Sequence, residues 1–132
     1  MEIQKREVLG IAILDLKGEV DIYSSEELKH LLEELSESRE SLLLNVSNTD
    51  YIDSFGLSLL ISFRKKMGKQ GKRFGLCCPQ SYVRRILNLT KLYDFLSVYE
   101  SEEKAIEDIS RSKAAVAGEL EPTISLQSDE RS

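Results

Sequence analysis

The chain has 132 residues, an apolar fraction of 41% and a formal net charge of -5. That length fits one domain with a tail, and the apolar content fits a globular core. No apolar run reaches the ~18–20 residues of a membrane helix, and the acidic balance argues against direct nucleic-acid binding.

The N-terminus, Met1-Glu2-Ile3-Gln4-Lys5-Arg6, has no apolar stretch behind its basic residues. It does not read as a secretory signal, so the expected location is the cytoplasm, with no membrane partner. Residues 3–9 and 11–17 predict a β-hairpin split by Gly10. The near-continuous run Ile11-Ala12-Ile13-Leu14 predicts a second strand buried on both faces. Residues 18–23 follow as a loop or short extended piece. A helix is expected to open at Ser24, with Ser24 and Glu27 at capping-box spacing. Leu28, Leu31, Leu32 and Leu35 give it one buried stripe. His30 falls off that stripe and is expected to be an exposed helix residue. It is the only histidine, so histidines cannot pair to hold a metal.

Residues 41–46 read as a buried strand and 47–56 as a polar loop. A second helix is expected from about 56 to 68, with Leu57, Leu59, Leu60, Ile61, Phe63 and Met67 forming a wide apolar arc. Arg64, Lys65, Lys66, Lys69, Lys72 and Arg73 read as its solvated basic end. Residues 72–78 predict a strand ending in the adjacent pair Cys77 and Cys78, of which one is expected to be buried. The pair cannot staple distant segments, and no second pair completes a metal site. Pro79 suits the first turn of a third helix carrying Val83, Ile86 and Leu87. A short strand over 95–99 follows. Ser101 then reads as the N-cap of a last helix with Ala105, Ile106 and Ile109. Residues 1–113 form the expected domain. Residues 114–132 read as a polar, disordered tail, with Ile124 and Leu126 as candidate anchors.

Strands alternating with helices predict an α/β fold with a mostly parallel sheet. In such sheets functional loops lie beyond the carboxyl ends of the strands, where the 47–56 segment falls. There Asp50, Asp53 and Ser54 precede a helix N-terminus. Two readings of Ser54 stay open. It or Asp53 is the helix N-cap, or it is an exposed hydroxyl whose phosphate would meet free amides and a positive dipole end.

Asp53-Ser54-Phe55-Gly56-Leu57 resembles the Asp-Ser-(Ser/Thr)-Gly-Leu signature of STAS domains. Gly18-Glu19-Val20-Asp21 is similar to their Gly-Glu-(Leu/Val)-Asp segment. Pro79 through Leu92 resembles the family's third helix, and Ser101-Glu102-Glu103-Lys104-Ala105 the start of its last one. The likeness covers residues 3 to about 112. It implies a mixed, mostly parallel sheet with an N-terminal β-hairpin and about four helices.

The resemblance also implies an anti-sigma factor antagonist. Its unphosphorylated form would bind an anti-sigma factor that is also a serine kinase, and so release a sigma factor. Phosphorylation of Ser54 would end that binding, and a serine/threonine phosphatase would restore it. Asp21, Asp53, Ser54, Phe55 and Ser58 would face the partner. No cofactor, metal or catalytic residue is implied. Phe55 departs from the family's small residue at that place. The alternative within the family is a non-switching STAS scaffold or a subunit of a stress-signalling or lipid-transport complex. A phosphoacceptor receiver would need paired acids after the first strand, whereas Asp15 stands alone in an apolar strand. An enzyme would need a base for Ser54, and His30 is the sole histidine.

Overall fold

The computed structural model describes residues 1–119. In chain order the elements are β1 (Glu2–Val8), β2 (Ile11–Val20), α1 (Ser25–Ser38), β3 (Ser41–Ile52), α2 (Ser54–Lys69), β4 (Arg73–Cys77), α3 (Ser81–Leu89), β5 (Val98–Tyr99) and α4 (Glu102–Glu119). The five strands form one sheet in the order β1-β2-β3-β4-β5. Only β1 and β2 run antiparallel, joined by the Leu9-Gly10 turn, and the other neighbours are parallel. This is the expected α/β class, with its N-terminal hairpin and four helices.

The continuous apolar runs of β2 and β3 are explained by layers on both faces. Ala12, Leu14, Leu16, Leu42, Leu44 and Leu76 meet α1, α2 and α3 through Leu28, Leu32, Leu60, Phe63, Met67 and Val83. The intervening Ile11, Ile13 and Leu43 point the other way, with Cys77, onto Ala105 and Ile109 of α4. Side chains alternate faces along a strand, so a strand covered on both faces is apolar at every position. Each such aliphatic side chain removed from water contributes about 1.5–3 kcal/mol.

Several expected boundaries move. β2 runs on to Val20 and β3 to Ile52, so 18–20 takes the extended alternative and 47–52 is paired strand, not loop. Their polar residues carry the ladder through backbone groups, which are indifferent to side-chain polarity. Bulges shift the register, so no clean alternation marks them. Buried Thr49 donates its hydroxyl to the Leu16 carbonyl at 3.1 Å.

α2 opens at Ser54 rather than 56. Pro79 lies ahead of α3, whose N-cap is Gln80. Phe95–Ser97 form a turn rather than strand, because the chain there folds back on itself through Leu96 N–H to Leu92 and Ser97 N–H to Asp94. The Ser24–Glu27 capping box does not form: no amide in the first turn of α1 bonds the Ser24 side chain. Ser101 does cap α4, its hydroxyl accepting from Lys104 N–H at 3.2 Å.

The basic stretch is only partly a solvated helix end. Lys65 and Lys69 are exposed. However, Lys72 Nζ donates to the Ser36 carbonyl at 2.8 Å, Arg64 to the Phe95 carbonyl at 2.9 Å and Arg73 to Asp108 at 3.1 Å. Asp15 is not isolated either. Arg6 reaches it at 2.6 and 2.9 Å and also holds Glu102 at the start of α4, at 2.6 and 3.1 Å. Asn45 Nδ2 adds a bond to Glu102 at 2.8 Å.

His30 is exposed and lies 3.1 Å from Glu26. Cys77 is buried and Cys78 half-buried, and burial pushes the Cys77 thiol well above its ordinary range. α4 spans Glu102–Glu119. Residues 120–132, including Ile124 and Leu126, lie outside the described residues. No helix among the described residues is long and apolar enough to cross a membrane.

Candidate functional site

The parallel strands β2 and β3 end side by side at Val20 and Ile52, which are register partners. From there β2 turns into α1 and β3 into α2. Asp53 N–H donates to the Val20 carbonyl at 3.2 Å, which ties the second junction to the first. Gly56 then lies directly over the end of β2. A Cβ at that position would sit 2.6 Å from the Val20 carbonyl oxygen and 2.9 Å from Ile52 Cγ2. Only the absence of a side chain lets the first turn of α2 cross there.

Of the two residues open as the cap of α2, the structure selects Asp53. Its backbone is extended, and its carboxylate accepts from Gly56 N–H at 2.8 Å. The first helical bond runs from Leu57 N–H to the Asp53 carbonyl at 2.9 Å. Ser54 is therefore the first residue inside the helix. It is exposed, and among the described residues no side-chain hydrogen bond engages its hydroxyl. Ser58 lies one turn on, also exposed, on the same face of α2. Phe55 is 42% exposed, an apolar ring beside the Ser54 hydroxyl.

Asp21 plays a different part. Its carboxylate accepts from Tyr23 N–H at 3.0 Å and Ser24 N–H at 2.9 Å, with the Ser24 hydroxyl also 2.9 Å away. That hydroxyl in turn accepts from Asp21 N–H at 3.1 Å. The bond from the Ser24 amide, then that from its hydroxyl, holds the Asp21 carboxyl below its ordinary range. Asp21 is thus the organiser of the β2–α1 turn, and the turn displays Ile22 and Tyr23. Tyr23 is 92% exposed.

The sequence-predicted residues Asp21, Asp53, Ser54, Phe55 and Ser58 all belong to this one end of the sheet. Sequence reasoning missed the rest of its surface. Ile22, Tyr23, Tyr51 and Tyr82 are exposed there too. For Ile22, Tyr23 and Tyr51 the available signal was apolar residues inside segments otherwise polar enough to be loops; for Tyr82 it was an aromatic off the Val83–Ile86–Leu87 stripe of α3. Among the described residues no group of three or more His, Cys, Asp or Glu is arranged to hold a metal ion.

The family model for the STAS domain matches residues 2–105. This chain belongs to the STAS domain family. Its STAS domain is 24% identical over 111 residues to the anti-sigma F factor antagonist of Paenibacillus polymyxa, which covers 83% of this chain and 95% of that protein. The crystal structure of a candidate anti-sigma factor antagonist from Thermotoga maritima superposes with a TM-score of 0.76. It is 26% identical and covers 83% of this chain and 95% of that one. The anti-sigma factor antagonist SpoIIAA, in its unphosphorylated form, shares the fold with a TM-score of 0.71. It is 19% identical and covers 83% of this chain and 97% of that one. The segment that resembles the STAS signature forms the α2 N-terminus, with Asp53 as cap, Ser54 exposed and Gly56 against Val20.

Proposed function

We propose that this STAS domain is an anti-sigma factor antagonist whose binding is switched by phosphorylation of Ser54. In this reading the unphosphorylated form binds an anti-sigma factor that is also a serine kinase, and a sigma factor is released. A serine/threonine phosphatase reverses the modification. Asp53, Ser54, Phe55 and Ser58 contact the partner directly, and Asp21 shapes the adjoining turn.

The observation that carries the reading is the division of labour at α2. Asp53 takes the structural role of cap, so the exposed Ser54 hydroxyl is left for other chemistry. A phosphate on Ser54 would stand at the positive end of the α2 dipole, near amides the helix leaves unpaired. The fold would tolerate it, while about -1.5 to -2 of new charge would alter docking beside Phe55. Relatives named as antagonists of anti-sigma F and anti-sigma-B factors supply the partner class. SpoIIAA of Bacillus, with the same fold, has been solved in its phosphorylated form.

The test has two parts. Intact-mass spectrometry after incubation with the host's kinase fraction and ATP should show one phosphate, mapped to Ser54 and absent from Ser54→Ala. In binding to the anti-sigma factor, Ser54→Ala should match the unchanged chain, and Ser54→Asp should fold normally but bind at least about tenfold more weakly, a loss near 1.4 kcal/mol. Equal binding by both variants, with Ser54 unmodified, would favour a constitutive scaffold or transport-complex subunit instead.

A further inference from the structure

Five exposed apolar or aromatic side chains surround the carboxyl end of the sheet: Ile22, Tyr23, Tyr51, Phe55 and Tyr82. Isolated exposed residues of this kind are ordinary, whereas a cluster marks an interaction surface. Two of them form a built unit. The rings of Tyr51, at the end of β3, and Tyr82, in the first turn of α3, stack with centroids 5.9 Å apart and planes inclined by 24°. A bulge prepares this contact. Gly18 pairs with Thr49 and Glu19 with Tyr51, which leaves Asp50 as an extra residue on β3. The successive residues Tyr51 and Ile52 then both meet helices, Ile52 in the core and Tyr51 on α3. The Gln80 side chain secures the start of α3 by donating to the Ser47 carbonyl at 2.8 Å. Even stacked, Tyr51 and Tyr82 remain 39% and 45% exposed.

The two β–α junctions beside this unit carry charge of one sign, and on α3 itself Arg84 is held by Glu100. Residues 18–28 and 47–63 contain Glu19, Asp21, Glu26, Glu27, Asp50 and Asp53, and no lysine or arginine. Arg85 lies one turn further along α3. Elsewhere among the described residues the chain covers its own aromatic rings with its own cations, Arg64 over Phe95 and Lys66 over Phe63. No such contact is found at Tyr51 or Tyr82.

We infer that the Tyr51–Tyr82 stack is the specificity-determining edge of the docking face, and that it receives an arginine-bearing segment of the protein partner. A guanidinium is planar and weakly hydrated, and lies flat on a tyrosine ring more readily than an ammonium. The surrounding carboxylates draw such a segment in and supply acceptors for the guanidinium edge. Phe55 and Tyr23, exposed at the same end of the sheet, offer further apolar surface. The inference rests on the reading of this face as partner-facing, but its test needs no kinase.

The full chain, labelled with 15N, is titrated with two blocked pentapeptides, Gly-Arg-Leu-Arg-Gly and Gly-Lys-Leu-Lys-Gly. The arginine peptide should shift the resonances of Tyr51 and Tyr82 at lower concentration than the lysine peptide. Tyr82→Ala should weaken the arginine peptide by about two- to fivefold and erase the preference, while Tyr82→Phe keeps it. The inference is overturned if neither peptide shifts these resonances, if both do so equally, or if Tyr82→Ala retains the preference. Failure of Ser54 to become phosphorylated would sink the switch and leave this peptide result standing, so the two failures are distinguishable.

Discussion

Gly56 and Ser54 are neighbours in one helical turn with opposite demands on them. A methyl group at Gly56 would press on the Val20 carbonyl at 2.6 Å, and that atom is backbone of a paired strand and cannot swing aside. Gly56→Ala should therefore destabilise the fold by about 1–3 kcal/mol, the usual cost of forcing extra volume into a packed site. Urea denaturation read by circular dichroism measures it, and an unchanged midpoint would contradict the close approach. The Ser54 hydroxyl, by contrast, faces solvent unbonded, so Ser54→Ala should leave the same midpoint in place. The signature segment was legible only through resemblance, since nothing in Gly56 as a letter says what it clears. Resemblance also singled out Asp53 and Ser54, while the residues alone left open which of them caps, and the structure gives the cap to Asp53. Local spacing chose wrongly at α1. Ser24 and Glu27 have capping-box spacing, yet the Ser24 hydroxyl is already engaged by Asp21 and the Glu19 carbonyl. A tighter turn outcompeted the cap.

Among the elements, α4 is held by a polar anchor as well as by packing. It packs through Ala105 and Ile109 on the far face of the sheet, while its first residue, Glu102, is gripped by Arg6 of β1 and Asn45 of β3. The Arg6 bond, foremost, holds the Glu102 carboxyl below its ordinary value of 4.5. A carboxyl depressed on folding stabilises the protein above its unfolded pKa, and that contribution is lost as pH falls through the folded value. Arg6→Gln should therefore lower stability at pH 7 by about 0.5–1 kcal/mol, a magnitude kept small by solvent around the pair. The gap to the unchanged chain should narrow by pH 3. Urea midpoints at the two pH values test this, and a gap that does not narrow would show that Arg6 acts through packing alone. The anchor was not legible beforehand, because Arg6, Asp15 and Glu102 are joined only by hairpin register and a helix that returns from the far end of the chain. The paired ends of β2 and β3 were hidden for a different reason. Polar residues and bulges erased the alternation that marks a strand, while the apolar middle of each strand announced itself.

For the molecule as a whole, order and hydrophobic pattern sufficed to give the fold class, because strands apolar at every position require helices on both faces. The polar clamps that close the structure at β5 were not readable. Tyr99 meets Asp108 and Arg73, and Tyr93 meets Glu100, which Arg84 also holds. Burial first, then the facing carboxylate, pushes both phenols up to about 12. A phenol raised on folding contributes stability that is complete below its unfolded pKa of 10.0 and is lost as pH climbs toward the folded value. Stability should thus decline between about pH 10 and 12. Tyr99→Phe should make that decline shallower, with the late phase of tyrosinate absorbance reduced. An unaltered late phase would mean that Tyr99 ionises with the ordinary tyrosines.

One contact at the edge of the sheet bears on how the protein is handled. Met1 lies against Gly18, within 3.5 Å of the position a Cβ there would take, beside the turn that displays Ile22 and Tyr23. α4 runs the other way, from Glu102 beside Asn45 toward Asp108 beside Arg73, at the amino end of β4. Anything fused ahead of Met1 therefore emerges next to the docking face and acts as a tethered obstacle at high local concentration. From Glu102 to Asp108, α4 leads away from that face.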